Sequence, residues 1–281
     1  MIARMSLKFL FKLIGIIASF TVLLACSLIG PPGSQSSSTF PTTAAQNGIP
    51  IFASPLRFVM PAGLGKSVIA ETIDVMTDQT RSTWDIAPAH LQLTIQGYSV
   101  QTTFHVPQFF VYPAQEYAAA NQSAAESIKR LQAVLLNPNT QYTNDILPYI
   151  PFVNAGQVFA AQEKVVQFNS GSGLRVVTQY AQDISPINNS GLFYHFEGLT
   201  GDGKYYIVAI LPTNLPLLAA GNDPASPVPV GGIPFPPNNA SSSNFENYFK
   251  QVTELIDNSP VDQFNPSLNT LDALIQSIST Q

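Results

Sequence analysis

The chain has 281 residues, of which 10% are charged and 45% are hydrophobic, and its formal net charge at pH 7 is −5. Ordinary soluble domains carry about 25% charged residues, so the surface of this protein must be made polar mainly by Asn, Gln, Ser and Thr. An acidic chain of this kind argues against nucleic acid as a partner and against electrostatic binding to anionic lipid.

The first 26 residues have the layout of an export signal. Three basic residues, Arg4, Lys8 and Lys12, precede an uncharged run over residues 13–25, and the single cysteine of the chain, Cys26, follows directly. A short basic segment followed by an apolar core of this length is typical of a signal peptide. Removal of residues 1–25 would take away three positive charges, which changes the formal net charge from −5 to −8.

The sequence LLAC at Leu23 to Cys26 resembles the lipobox of bacterial prolipoproteins. That resemblance implies cleavage just before Cys26, with residues 1–25 as the signal peptide, and a diacylglycerol on the Cys26 sulfur. It also implies acylation of the new N-terminus, as with palmitate. Each buried methylene of such chains contributes about 0.8 kcal/mol. We therefore expect attachment to the cell membrane or the outer membrane through lipid, with the domain on the extracytoplasmic side.

Two other interpretations of this segment remain open. The uncharged run extends past Cys26 to Gly30, and this approaches the roughly 17 residues that a spanning helix needs. The segment would then be an uncleaved transmembrane anchor. It also fits an ordinary secretory signal in which Cys26 has no role. The lone cysteine favours the lipoprotein interpretation, because a single cysteine cannot form an internal disulfide.

Residues 26–50 are rich in Ser, Thr, Pro and Gly and contain few apolar side chains. Such a segment buries too little surface to offset the entropy of ordering, so we expect a flexible tether. Residues 51–281 then form the exported domain. The stiff connector LPYIP at 147–151 leaves two organisations open, a single unit or two subdomains at 51–147 and 152–281.

The first half of this domain is predicted to mix strands with one helix. Alternating apolar residues predict a strand over 90–100, and strand-forming residues predict others at 56–60 and 108–112. A capping box formed by Ser123 and Glu126 predicts the start of a helix that Pro138 ends.

The second half contains the clearest β pattern. Strands are predicted near 158–168, 174–180, 192–199 and 204–211, and a Gly-Asp-Gly turn joins the last two. Short turns between neighbours require antiparallel pairing, so the four strands form a meander.

A proline-rich loop follows over 212–243 and is expected to lie along the domain in an extended form. Two amphipathic helices close the chain. Ser243 with Glu246 is expected to cap the first helix, and Asn265 with Pro266 the second.

These elements predict an α+β fold in which an antiparallel sheet carries amphipathic helices mainly on one face. In the order of its elements the chain resembles PsbP-type sandwich domains, which occur in several exported lipoproteins. That resemblance covers element order alone, so it assigns no functional residue.

Catalytic candidates are few. His195 and Glu197 are two residues apart on a predicted strand and share a face, so they could form a general base or hold a metal, or belong to a solvated face. One histidine and one carboxylate are too few ligands for a metal site, and no metal or cofactor is expected. Asp183 and Glu197 could act as paired carboxylates in glycoside cleavage.

Two function classes follow. The first is a non-catalytic, lipid-anchored domain with a binding or scaffolding role at the cell envelope, whose partner is an envelope protein or a polysaccharide. The alternative is an envelope hydrolase that uses His195, Glu197 and Asp183. A deep cleft that brings these three together would favour the enzyme, whereas a shallow aromatic surface would favour the binding protein.

Overall fold

The computed structural model describes residues 47–281, except 79, 81, 83–84, 101, 103, 139–146 and 151–153. The predicted signal peptide and Cys26 lie outside the described residues. The strands in this part are β1 Gly48–Ala53, β2 Leu56–Pro61, β3 Ser67–Ile73, β4 His90–Gln96, β5 Gln108–Pro113, β6 Gly156–Phe168, β7 Gly171–Ala181, β8 Phe193–Thr200, β9 Tyr205–Pro212 and β10 Ser279–Thr280. The α-helices are α1 Ala114–Ala120, α2 Gln122–Leu136, α3 Ser242–Asn258 and α4 Leu268–Gln276.

Seven strands form one antiparallel sheet in the order β3-β4-β5-β9-β8-β7-β6. The predicted α+β class is confirmed, and so is the meander, because β6 to β9 are neighbours in chain order. Strands that precede and strands that follow the connector at Leu147 in the sequence belong to this sheet. Strand β5, which precedes the connector, pairs with β9, which follows it. A smaller antiparallel sheet has the order β1-β2-β10.

The helices cover both faces of the large sheet, which differs from the expectation that they lie mainly on one. Leu131 of α2 belongs to the same buried cluster as Val176 and Val208. Ile256 of α3 and Leu271 of α4 belong to the other cluster, which contains the opposite side of the sheet. The reason lies in the strands. Nearly every residue of β8 and β9 is buried, so both faces must be covered.

The helix starts also differ from the predicted caps. The side chain of Asn121 caps α2 by accepting hydrogen bonds from the backbone N–H groups of Ser123 and Ala124. In α3 the capping box is formed by Ser241 and Asn244, and in α4 the cap is Ser267. Each cap lies close to the predicted one, but packing of the helix on the sheet decides which polar residue is left at the boundary. Helix α1 was not predicted.

Two further segments can be compared with the predictions. Residues 48–50, which were assigned to the tether, lie in β1 and pair with residues 59–61 of β2. The proline-rich loop, which the structure describes throughout, runs along the domain as expected: Leu215 and Leu218 are buried, and Phe235 packs against the core. In the described part of the chain, no helix has the length and hydrophobicity needed to cross a membrane.

Candidate functional site

His195 and Glu197 lie on β8 and point to the same face of the sheet, as their spacing predicts. That face is covered by α2, so the two side chains are buried, with exposed fractions of 4% and 1%. The interpretation that these residues belong to a solvated face is therefore wrong. The His195 Nε2 atom is 3.5 Å from the Glu197 Oε1 atom.

Both side chains bind the backbone of Ile150. The N–H of Ile150 donates to Glu197 Oε1 at 3.0 Å, and His195 Nε2 lies 2.8 Å from the Ile150 carbonyl oxygen. A carbonyl oxygen only accepts, so Nε2 carries the hydrogen and donates. The Tyr206 hydroxyl donates to the second carboxyl oxygen of Glu197. The pair thus attaches the connector at residues 147–150 to the sheet.

Burial also sets the charge of this pair. It raises the pKa of the Glu197 carboxyl to about 8, against the effect of its hydrogen bonds with Tyr206, Ile150 and Ser127. Burial lowers the pKa of the His195 imidazole to about 4. In each case removal from water disfavours the charged form. Both groups are therefore mainly neutral at pH 7. Their hydrogen bonds to the backbone of Ile150 hold the connector against the sheet.

Asp183 is exposed and follows the end of β7 at Ala181. Glu197 pairs with Leu174, seven residues before that end. At about 3.3 Å per residue, the end of β7 at Ala181 lies about 23 Å along the sheet from the backbone position of Glu197, and Asp183 follows two residues further on. Paired carboxylates of glycosidases lie roughly 5 to 9.5 Å apart. The structure therefore does not bring Asp183 and Glu197 together as the alternative function requires.

A second buried polar cluster was missed by sequence reasoning. Asp272 of α4 accepts hydrogen bonds from Lys164 Nζ at 2.8 Å and from the Tyr194 hydroxyl at 3.0 Å. Arg175 Nε lies 3.4 Å from the same carboxylate, as an ion pair without hydrogen-bond geometry. Arg175 and Asp272 are each 3% exposed. The position of Asp272 within the otherwise apolar stripe of α4 is the sequence signal that could have identified this cluster.

An open groove of about 590 Å³ lies along the N-terminal half of α2. Gln122, Glu126 and Lys129 stand at positions i, i+4 and i+7 and so form one polar stripe of the helix facing the groove. The lining is completed by Ile86, Ala120, Asn121, Ser123, Ala125 and Tyr149. The sequence does not predict this groove, because its lining comes from three separate segments.

The groove is held in shape by hydrogen bonds from its own lining. Asn121 Nδ2 donates to the Ile86 carbonyl oxygen at 3.0 Å. The backbone N–H of Tyr149 donates to Ser127 Oγ at 2.8 Å. The Arg130 guanidinium carbon lies 4.9 Å from the centre of the Tyr149 ring. Ile150, the residue after Tyr149, is hydrogen-bonded to His195 and Glu197 of β8. The backbone is therefore fixed both at Tyr149 and directly after it.

No three His, Cys, Asp or Glu side chains within the described ranges lie close enough together to hold a metal ion. Comparisons of the chain with protein-family models, with curated proteins and with solved structures find no match.

Proposed function

We propose that this protein is a lipid-anchored domain on the extracytoplasmic side of the cell envelope, with a non-catalytic binding or scaffolding role. The observation that carries the proposal is the arrangement at the N-terminus, where a basic segment and an apolar run end in LLAC with the lone Cys26. Acyl chains on that sulfur attach the domain to the cell membrane or the outer membrane. The partner is an envelope protein or a polysaccharide.

The geometry of the former catalytic candidates supports a binding role over the hydrolase. His195 and Glu197 are buried, and their hydrogen bonds go to the backbone of Ile150. Their shifted pKa values follow from burial beneath a helix and need no catalytic explanation. Asp183, in contrast, is exposed and follows the end of β7. His195 and Glu197 support the connector that carries Tyr149.

The anchor is tested by replacing Cys26 with Ala in a bacterial host supplied with radiolabelled palmitate. We expect the variant to lose the label and to accumulate as a longer, uncleaved precursor, because no sulfur remains for the diacylglycerol. Ser27→Ala, one residue further along, is the matched control and should still be labelled. Palmitate incorporation that is unchanged in Cys26→Ala would rule out the lipid anchor.

The binding role is tested with the lipidated chain purified from membranes. We expect a defined envelope component to co-purify with the wild-type chain in stoichiometric amount. Release of sugars or peptides from purified cell wall by the chain, lost in Glu197→Gln, would instead support the hydrolase.

A further inference from the structure

We infer that the groove along α2 is a binding site for an oligosaccharide chain. This inference gives a ligand class to the binding role proposed above and rests on that proposal for the envelope setting in which the ligand is met. The groove itself is a property of the folded domain and can be tested without the lipid anchor.

The dimensions of the groove suit part of a chain molecule. Its volume of about 590 Å³ lies within the roughly 300 to 1,000 Å³ of sites that bind small ligands. It is open to solvent along the helix, and the polar stripe runs from Gln122 to Lys129, a rise of about 10 Å at 1.5 Å per residue. Part of a linear oligosaccharide can lie along such a stripe.

The lining offers hydrogen-bonding groups of both kinds. Gln122 supplies a donor and an acceptor, Ser123 a hydroxyl, Glu126 acceptors and Lys129 donors. Tyr149 adds an aromatic ring with a phenolic hydroxyl. A sugar ring presents hydroxyl groups around its edge and C–H groups on its faces. Its edge therefore matches the stripe of α2, and its C–H groups can contact the part of the half-buried Tyr149 ring that lines the groove.

The charges of the groove favour a neutral ligand. Glu126 forms an ion pair with Arg130 at 3.4 Å, and Lys129 lines the groove beside it, so both signs of charge are present and neither a cation nor an anion meets a uniform field. A phosphate at the start of α2 would need free backbone N–H groups, but Asn121 already accepts the N–H groups of Ser123 and Ala124. The Glu126 carboxylate would also repel it. A neutral polyhydroxylated ligand meets no such obstacle.

The site is also preorganised, which lowers the entropic cost of binding. Asn121 joins the start of α2 to Ile86, and Tyr149 is held by Ser127 through its backbone and contacts Arg130 through its ring. Binding thus requires little rearrangement of the lining.

The test is isothermal titration calorimetry of the full chain in detergent with four probes: chitotetraose, cellotetraose, maltotetraose and mannotetraose. We expect saturable binding of at least one probe with a Kd of about 1 mM or tighter. Tyr149→Ala should weaken binding about tenfold through loss of the aromatic contact, and Tyr149→Phe should retain most of the affinity.

Exposed positions keep the test independent of folding. Gln122 and Lys129 are exposed, so Gln122→Ala and Lys129→Ala should keep the wild-type melting temperature while weakening binding several-fold. Lys250→Ala is the matched control, since Lys250 is an exposed lysine of α3 outside the groove, and it should bind like the wild type.

Absence of saturable heat with all four probes at about 10 mM would overturn the inference. Binding that is equally strong in Gln122→Ala, Lys129→Ala and Tyr149→Ala would overturn the location of the site. Neither result bears on palmitate labelling of Cys26, so failure of this inference is distinguishable from failure of the lipid anchor.

Discussion

Replacement of Glu197 by Gln should remove the loss of stability that ionisation of Glu197 causes as pH rises. Glu197 is buried beneath α2 with a pKa raised to about 8. Gln resembles the neutral carboxyl in shape and keeps an oxygen that can accept the N–H of Ile150. It has no proton to lose. The substitution therefore separates the ionisation of residue 197 from its hydrogen bonds.

The direction follows from linkage between protonation and folding. The folded state holds the Glu197 proton up to a pKa of about 8, whereas the ordinary value for Glu is 4.5. The unfolded state therefore binds fewer protons between these pH values, and the free energy of unfolding falls as pH rises through the window. At about 1.4 kcal/mol per pH unit, the full loss is roughly 5 kcal/mol.

Neighbouring groups act outside this window or in the opposite direction. Burial raises the pKa of Tyr112, Tyr117 and Tyr206 above the usual 10, so they stay protonated. Burial lowers the pKa of His195 from 6.5 to about 4, so its destabilising effect appears as pH falls below 6.5. The difference between wild type and variant isolates Glu197, because both proteins retain the other groups.

The measurement is urea denaturation followed by circular dichroism at each pH unit from about 5 to 9. The free energy of unfolding of Glu197→Gln should match that of the wild type near pH 5 and exceed it by several kcal/mol near pH 8, because both proteins keep the histidines and only the wild type can ionise residue 197. Glu254→Gln, at an exposed acid of α3, is the control and should follow the wild type. Parallel curves for wild type and Glu197→Gln would refute the reasoning.

Two further predictions concern stability. Asp272→Ala leaves the buried guanidinium of Arg175 without its carboxylate, so the free energy of unfolding should fall by about 3 to 5 kcal/mol in urea denaturation. The control Asp183→Ala, at an exposed acid, should change the free energy of unfolding by less than about 0.5 kcal/mol. Similar losses in both variants would contradict this role of Asp272. Asn121→Ala removes the side-chain cap of α2 and the bond to Ile86 and should cost about 1 to 2 kcal/mol, measured as a lower melting temperature; an unchanged value would show that the cap is replaced by water.

Local patterns were enough to predict strands β6 to β9 and helices α3 and α4 in the second half of the chain. The meander from β6 to β9 follows from strand-forming runs separated by short polar turns, and Gly203 adopts the positive φ of 70° expected in the turn between β8 and β9. The apolar stripes of helices α2, α3 and α4 were also recognised from the sequence. In these cases the interactions that specify the element lie within a few residues, so the sequence alone contains them. The prediction of lipid on Cys26 is of the same local kind and stays a prediction.

The environment of each side chain depended on contacts between distant parts of the chain. His195 and Glu197 share a face because strands have a period of two residues, but only the docking of α2 decides that this face is buried and that its acid is neutral. Segments far apart in sequence also come together where β5 pairs with β9, where β10 pairs with β2, and where α2 and Tyr149 line the groove. Burial, pKa and cavity shape are properties of such assemblies, because they arise from the exclusion of water by several elements at once.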